Sequence, residues 1–128
     1  MSNLKKEFVS FLSVLEGNHQ TLKGLHWSTD NHSRHILCDE IDDAILEYED
    51  KIAENAMGLL STRIGVGELK TLLPNAKTLK DLLIELLNDI EDFRGIISGK
   101  VKGVEGVENI LDDFVEDVNK WKYLETFS

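Results

Sequence analysis

Pro74 is the only proline in the chain. Proline breaks a helix from within, so the long stretches on either side of it are free to form helices as extended as their apolar pattern allows. That pattern is helical throughout. Leu4, Phe8, Phe11, Leu12, Leu15, Leu22 and Leu25 recur at helical spacing, predicting a first helix from Leu4 to about His26, with Gly17 and Gly24 weakening it a little. After the polar turn STDNHSR, a second helix is expected from about Ser33 to Leu60, with Ile36, Ile41, Ile45, Ile52 and Ala56 among its apolar positions. Ser61 to Thr78, holding Gly65, Gly67 and Pro74, is too long for a hairpin; it predicts a path along the bundle with a short helix near Glu68–Leu73. Thr78 is a suitable N-cap for a third helix carrying Leu79, Leu82, Leu83, Leu86, Leu87, Ile90 and Phe93. A fourth, from about Val104 to Thr126, carries Val107, Ile110, Leu111, Phe114, Val118, Trp121 and Leu124. No period-two pattern persists. The expectation is one all-α domain over residues 1–128, a four-helix bundle with a crossover connection between helices two and three.

Charge narrows the function. With 14 basic and 24 acidic residues the net charge is −10, which argues against a face built for nucleic-acid phosphates. Such a surface raises the local concentration of cations instead. No apolar run approaches the roughly 20 residues that span a bilayer. The start MSNLKKEFVS lacks the apolar stretch of a secretory signal. A lone cysteine, Cys38, has no internal partner for a disulfide, and the expected location is the cytoplasm. The serines and Cys38 fall in no spacing that signals nucleophilic catalysis, and SGKVKG lacks the spacing of a phosphate loop.

The acids are concentrated on helix two, where eight of them and one base, Lys51, lie between Asp39 and Glu54. His35 and Asp39 are four residues apart, as are Asp50 and Glu54, so each pair occupies adjacent turns of one face. At about 100° per residue the four share a stripe roughly 100° wide, yet Asp39 and Asp50 are separated by roughly 16 Å along the axis. Carboxylates and imidazoles that far apart cannot share one metal ion. A two-fold axis crossing the helix near Ala44 and Ile45 resolves the conflict. It lays helix two antiparallel on its copy, opposing His35 and Asp39 of one chain to Asp50 and Glu54 of the other, with small Ala44 allowing close approach. His26, at the end of helix one, is placed to join as a fifth ligand.

These residues resemble the Dps family of mini-ferritins (DNA-binding proteins from starved cells). That family's pattern is a His-Trp ending helix one, then His-x3-Asp-x10-Asp-x3-Glu on helix two; here it is His26-Trp27, then His35, Asp39, Asp50 and Glu54. The final stretch VENILDDFVEDVNKWKYLETF is also similar to that family's last helix. The segment from His26 to His35 and the crossover are both shorter than the family pattern. The resemblance implies a ferritin-like bundle assembling into a hollow homo-dodecamer. It also implies Fe(II) oxidation by peroxide or oxygen at inter-subunit sites, a ferroxidase activity, and storage of the ferric product. Zinc and manganese suit the same donors. DNA binding in that family relies on a basic terminal tail, which is missing from this sequence. The competing expectation is a non-catalytic ferritin-like structural or packaging assembly.

Several residues carry plainer alternatives. Asp42, Asp43, Glu47 and Glu49 are expected on a solvated face, and Cys38 as a small core residue. Trp27, Trp121 and Tyr123 are expected in packing. Glu16-x-x-His19 is half of the carboxylate-histidine pairing that a di-iron site inside one bundle needs, and its other half is absent.

Overall fold

The polar turn after Ser28 folds the chain back on itself, and everything downstream follows from that hairpin. The computed structural model describes residues 2–128. Its helices are α1 (Ser2–Ser28), α2 (His32–Leu60), α3 (Leu79–Ile97) and α4 (Glu105–Glu125), with no strand among the described residues. The chain is thus an all-α four-helix bundle, as the periodicity predicts. None of these helices is long and apolar enough to cross a membrane.

Local chemistry sets the boundaries. The Asn31 side chain accepts a hydrogen bond from the Arg34 N–H at 2.9 Å, satisfying one of the free amides that begin α2. Ser61, at φ 49°, closes the helix in the left-handed region. Thr78 caps α3 through the Asp81 N–H at 3.2 Å, and Asp81 adds a favourable charge to the first turn.

Helix α2 packs on α1 and α4, while α3 packs on α4 and α1, which sets α2 and α3 on opposite corners. The crossover explains how. Glu68 meets Lys5 near the start of α1 at 3.0 Å, and further on the Lys70 N–H donates to the Ser13 hydroxyl at 2.9 Å. The Leu72 N–H then donates to the Ser13 carbonyl at 3.1 Å. The segment therefore climbs along α1 and delivers α3 to the end where α1 finishes, so α3 runs parallel to α2. One cleft at that end is lined jointly by Ser28, Thr29, Arg34, Thr78 and Glu125, bringing together the ends or starts of all four helices.

Two expectations about this region are corrected. Residues Glu68 to Leu73 form no helix. Their amides reach α1, through the buried Ser13, and a backbone satisfied by another element has no need of its own helical bonds. Gly17 does more than weaken α1: a Cβ there would lie 1.8 Å from the Leu72 carbonyl oxygen. The crossover backbone lies against bare helix, which only glycine permits.

The core is continuous along the bundle. It includes Phe8, Leu12 and Leu15 of α1, Ile41, Ile45 and Ile52 of α2, Leu82, Leu86 and Ile90 of α3, and Leu111, Phe114 and Val118 of α4. Phe11 stacks on Phe93 across α1 and α3, with centroids 4.2 Å apart. Tyr48 stacks on Phe114 across α2 and α4, also at 4.2 Å, and its hydroxyl donates to Asp117 at 2.5 Å. Burial and that carboxylate push the Tyr48 phenol well above its usual range. Cys38 is buried, and burial pushes its thiol up to about 11, as suits an inert core residue.

Candidate metal-binding face

The α1–α2 hairpin has a simple register: residues equally far from the Asp30–Asn31 turn lie side by side. His26 and His35 are one such pair. Their rings stack with centroids 3.9 Å apart and planes 18° from parallel. The His26 Nδ1–H donates to the His35 carbonyl at 2.9 Å, and the His35 Nδ1–H donates to the His26 carbonyl at 2.8 Å. A carbonyl has no proton to give, so both rings must carry hydrogen on Nδ1. In the neutral imidazoles this leaves both Nε2 lone pairs for another partner, the arrangement a metal-ligating histidine commonly adopts.

His19 and Asp42 are the next pair in this register, and His19 Nδ1–H donates to Asp42 Oδ1 at 2.7 Å. Further along, Glu16 of α1 and Glu49 of α2 meet as two carboxyls. Burial, then the hydrogen bond and charge of Glu16, then Asp50 push the Glu49 carboxyl up to about 8. Sequence spacing placed Asp42 and Glu49 on a solvated face; instead both line the seam with α1, while Asp43 and Glu47 are exposed as expected. The signal for the His19–Asp42 contact was present in the hairpin, since those residues flank the turn as symmetrically as His26 and His35 do.

The outer face of α2 looks away from the rest of the bundle. Asp39, Asp50 and Glu54 are exposed on it, with half-buried His35 at its edge beside α1. The structure brings His26 to His35 and sets Asp39 one turn beyond. Asp50 and Glu54 sit about three turns further along, as the spacing requires. Among the described residues no three His, Cys, Asp or Glu side chains of a single chain converge closely enough to hold a metal ion.

Four apolar residues differ from expectation. Ile36, expected among the apolar contacts of α2, is 52% exposed, and Trp27 is 73% exposed with Lys23 Nζ 5.7 Å from its ring centre. Tyr123 is likewise exposed and meets Phe127 edge-on, whereas Trp121 packs in the core as expected. Ala44 is half-buried against the core and so does not front the outer face. Leu46, 37% exposed, does.

Fold and side chains together define a four-helix bundle with a paired-histidine edge and an acidic outer helix face. Comparison with protein-family models, with curated proteins and with solved structures finds no match.

Proposed function

We propose that this chain is a ferritin-like, iron-oxidising protein that works as a homo-oligomer, with α2 of one copy antiparallel to α2 of the next. Iron(II) is the substrate. It binds between His26, His35 and Asp39 of one chain and Asp50 and Glu54 of the other.

The single observation that carries this reading is the reciprocal bonding of His26 and His35. Two imidazoles with both Nδ1 atoms engaged offer two oriented Nε2 donors one helical turn from Asp39. Histidine nitrogens with carboxylate oxygens suit iron(II), and the carboxylates of Asp39, Asp50 and Glu54 offset the charge gained on oxidation. Five ligands leave room for an oxidant, peroxide or oxygen, to take the electron. The acidic surface concentrates Fe(II) around the protein. The resemblance to the mini-ferritins extends this to a dodecamer that stores the ferric product.

Aerobic addition of Fe(II), followed by the absorbance of the ferric product, tests the reading. The wild type is expected to oxidise iron well above the rate of an Asp50→Ala/Glu54→Ala variant. Equal rates leave only a non-catalytic assembly.

A further inference from the structure

We infer that the cleft at the α1–α2 turn end of the bundle binds a phosphate-type dianion, carried by a soluble phosphate compound or by a lipid headgroup. The inference is independent of the metal-binding reading and concerns a surface that the net charge conceals.

The chain carries −10 overall, yet this end is basic. The six helix residues nearest it on each helix, with the turns between them, hold Lys23, Arg34, Lys77, Lys80, Lys120 and Lys122. The same stretch holds three acids, Asp30, Asp81 and Glu125. The cleft lies where all four helices meet at that end. Its volume is about 450 Å³, and Arg34, Lys77 and Lys80 line it together with Thr29 and Thr78.

These walls have hydrogens to give. The Thr29 hydroxyl oxygen accepts from the Asn31 N–H at 3.2 Å, and the Thr78 hydroxyl oxygen accepts from the Asp81 N–H at 3.2 Å. Each hydroxyl keeps its own hydrogen, which no acceptor among the described residues takes. None of the three cations pairs with a carboxylate within 4 Å among the described residues. Arg34 is the most telling of them. It is half-buried, as is Arg94, and Arg94 reaches Asp112 at 2.6 Å. A half-buried guanidinium that finds no acid in a chain holding 24 of them keeps its planar fork for another acceptor. Asn31 and Thr78 already cap the first turns of α2 and α3, so recognition falls to side chains.

The donor set selects the ligand. A phosphate group offers up to two negative charges and three strong acceptor oxygens, matching a fork, two ammonium groups and two hydroxyls. A carboxylate offers one charge and two oxygens. Asp30 and Glu125 also line the cleft, leaving it one net positive charge. With the acidic body beyond, they favour a compact dianion and repel an extended polyanion such as nucleic acid.

Calorimetric titration with inorganic phosphate at constant ionic strength tests the site, with acetate as the carboxylate control. Flotation with phosphatidylcholine vesicles, with and without phosphatidic acid, tests the headgroup source. Saturable binding of inorganic phosphate without vesicle capture assigns a soluble compound; capture that requires phosphatidic acid assigns a headgroup. Arg34→Gln and Lys77→Gln/Lys80→Gln should each weaken whichever probe binds by about tenfold or more. Lys100→Gln removes the same charge beside the α3–α4 turn, at the far end, and should change nothing. Helical circular dichroism checks that each variant is folded, and the exposed Lys77 and Lys80 keep the test open if Arg34→Gln is not. Binding of neither probe, acetate as tight as phosphate, or an equal loss in Lys100→Gln overturns the inference.

Discussion

His26 and His35 hold each other in place through their backbones: each ring donates from Nδ1 to the other residue's carbonyl, and the rings lie 3.9 Å apart. The same two bonds therefore pin the end of α1 to the start of α2 and orient both Nε2 atoms. Replacing either histidine by alanine removes one bond of the pair and one nitrogen donor. The expected stability loss is about 1 kcal/mol in urea unfolding. The expected loss in anaerobic Fe(II) affinity is at least tenfold, on the order of what even outer-sphere partners of a metal contribute. Titration calorimetry separates the two effects, because a purely structural pair would show the first and not the second.

Gly17 and Gly24 look alike in sequence, both being glycines inside α1, and differ entirely in surroundings. A Cβ at Gly17 would meet the Leu72 carbonyl at 1.8 Å, whereas one at Gly24 would meet nothing within 4 Å. Gly24→Ala should stabilise the protein by up to about 1 kcal/mol, through helix propensity alone. Gly17→Ala gains the same propensity but must displace the crossover, and it should destabilise by about 1–3 kcal/mol. Chemical denaturation of the pair gives opposite signs if the crossover lies where it is described.

Those two glycines also mark the limit of what spacing alone can reveal. Helix number, the caps at Thr78 and the antiparallel α1–α2 pair were legible, because periodicity and capping are local. The path of the crossover was legible only as a length. Its extended form depends on Ser13, some 57 residues away in sequence, offering a hydroxyl and a carbonyl to its amides. Helical spacing assigned Ile36 to the apolar contacts of α2, but it does not say which face the neighbouring helices cover. Ala44 was misplaced for the same reason: its height along α2 suits the proposed two-fold axis, and its direction, half-buried against the core, does not. For the candidate ligands, spacing put Asp39, Asp50 and Glu54 on one face, and all three are exposed there. What spacing missed was the seam beside them, His19 with Asp42 and Glu16 with Glu49, since acids on a charged helix look solvated until the facing helix is known.

Asp89 offers a pH test well away from the candidate ligands. It is half-buried beside Glu7, Phe11, Asp92 and Phe93 in a small cleft between α1 and α3. Burial first, then Glu85 and Asp92, push its carboxyl from 3.8 up to about 6. An acid whose folded pKa is raised leaves stability intact below its unfolded value and removes it as pH rises through the folded one. Asp89→Asn should therefore match wild type near pH 3.5 and exceed it above pH 6, by about 1 kcal/mol once solvent screening of a half-exposed group is allowed for. Thermal unfolding followed across that range checks both the sign and the window.

If each metal site draws ligands from two chains, two inactive variants should restore one another. A His26→Ala/His35→Ala chain keeps Asp50 and Glu54, while an Asp50→Ala/Glu54→Ala chain keeps both histidines and Asp39. Neither homodimer holds a complete site. A mixed dimer holds one complete site, assembled from the intact halves, and one with neither half intact. Random pairing of equal amounts makes half the dimers mixed, so about a quarter of the wild-type site number should return. Co-expression with two affinity tags isolates the mixed dimer directly, and its rate of Fe(II) oxidation should be about half that of wild type. A site confined to one chain predicts no recovery in either experiment, because every chain present lacks two of its own ligands. Recovery near a quarter in the random mixture, together with half in the isolated mixed dimer, is a ratio that only sites shared between two chains produce.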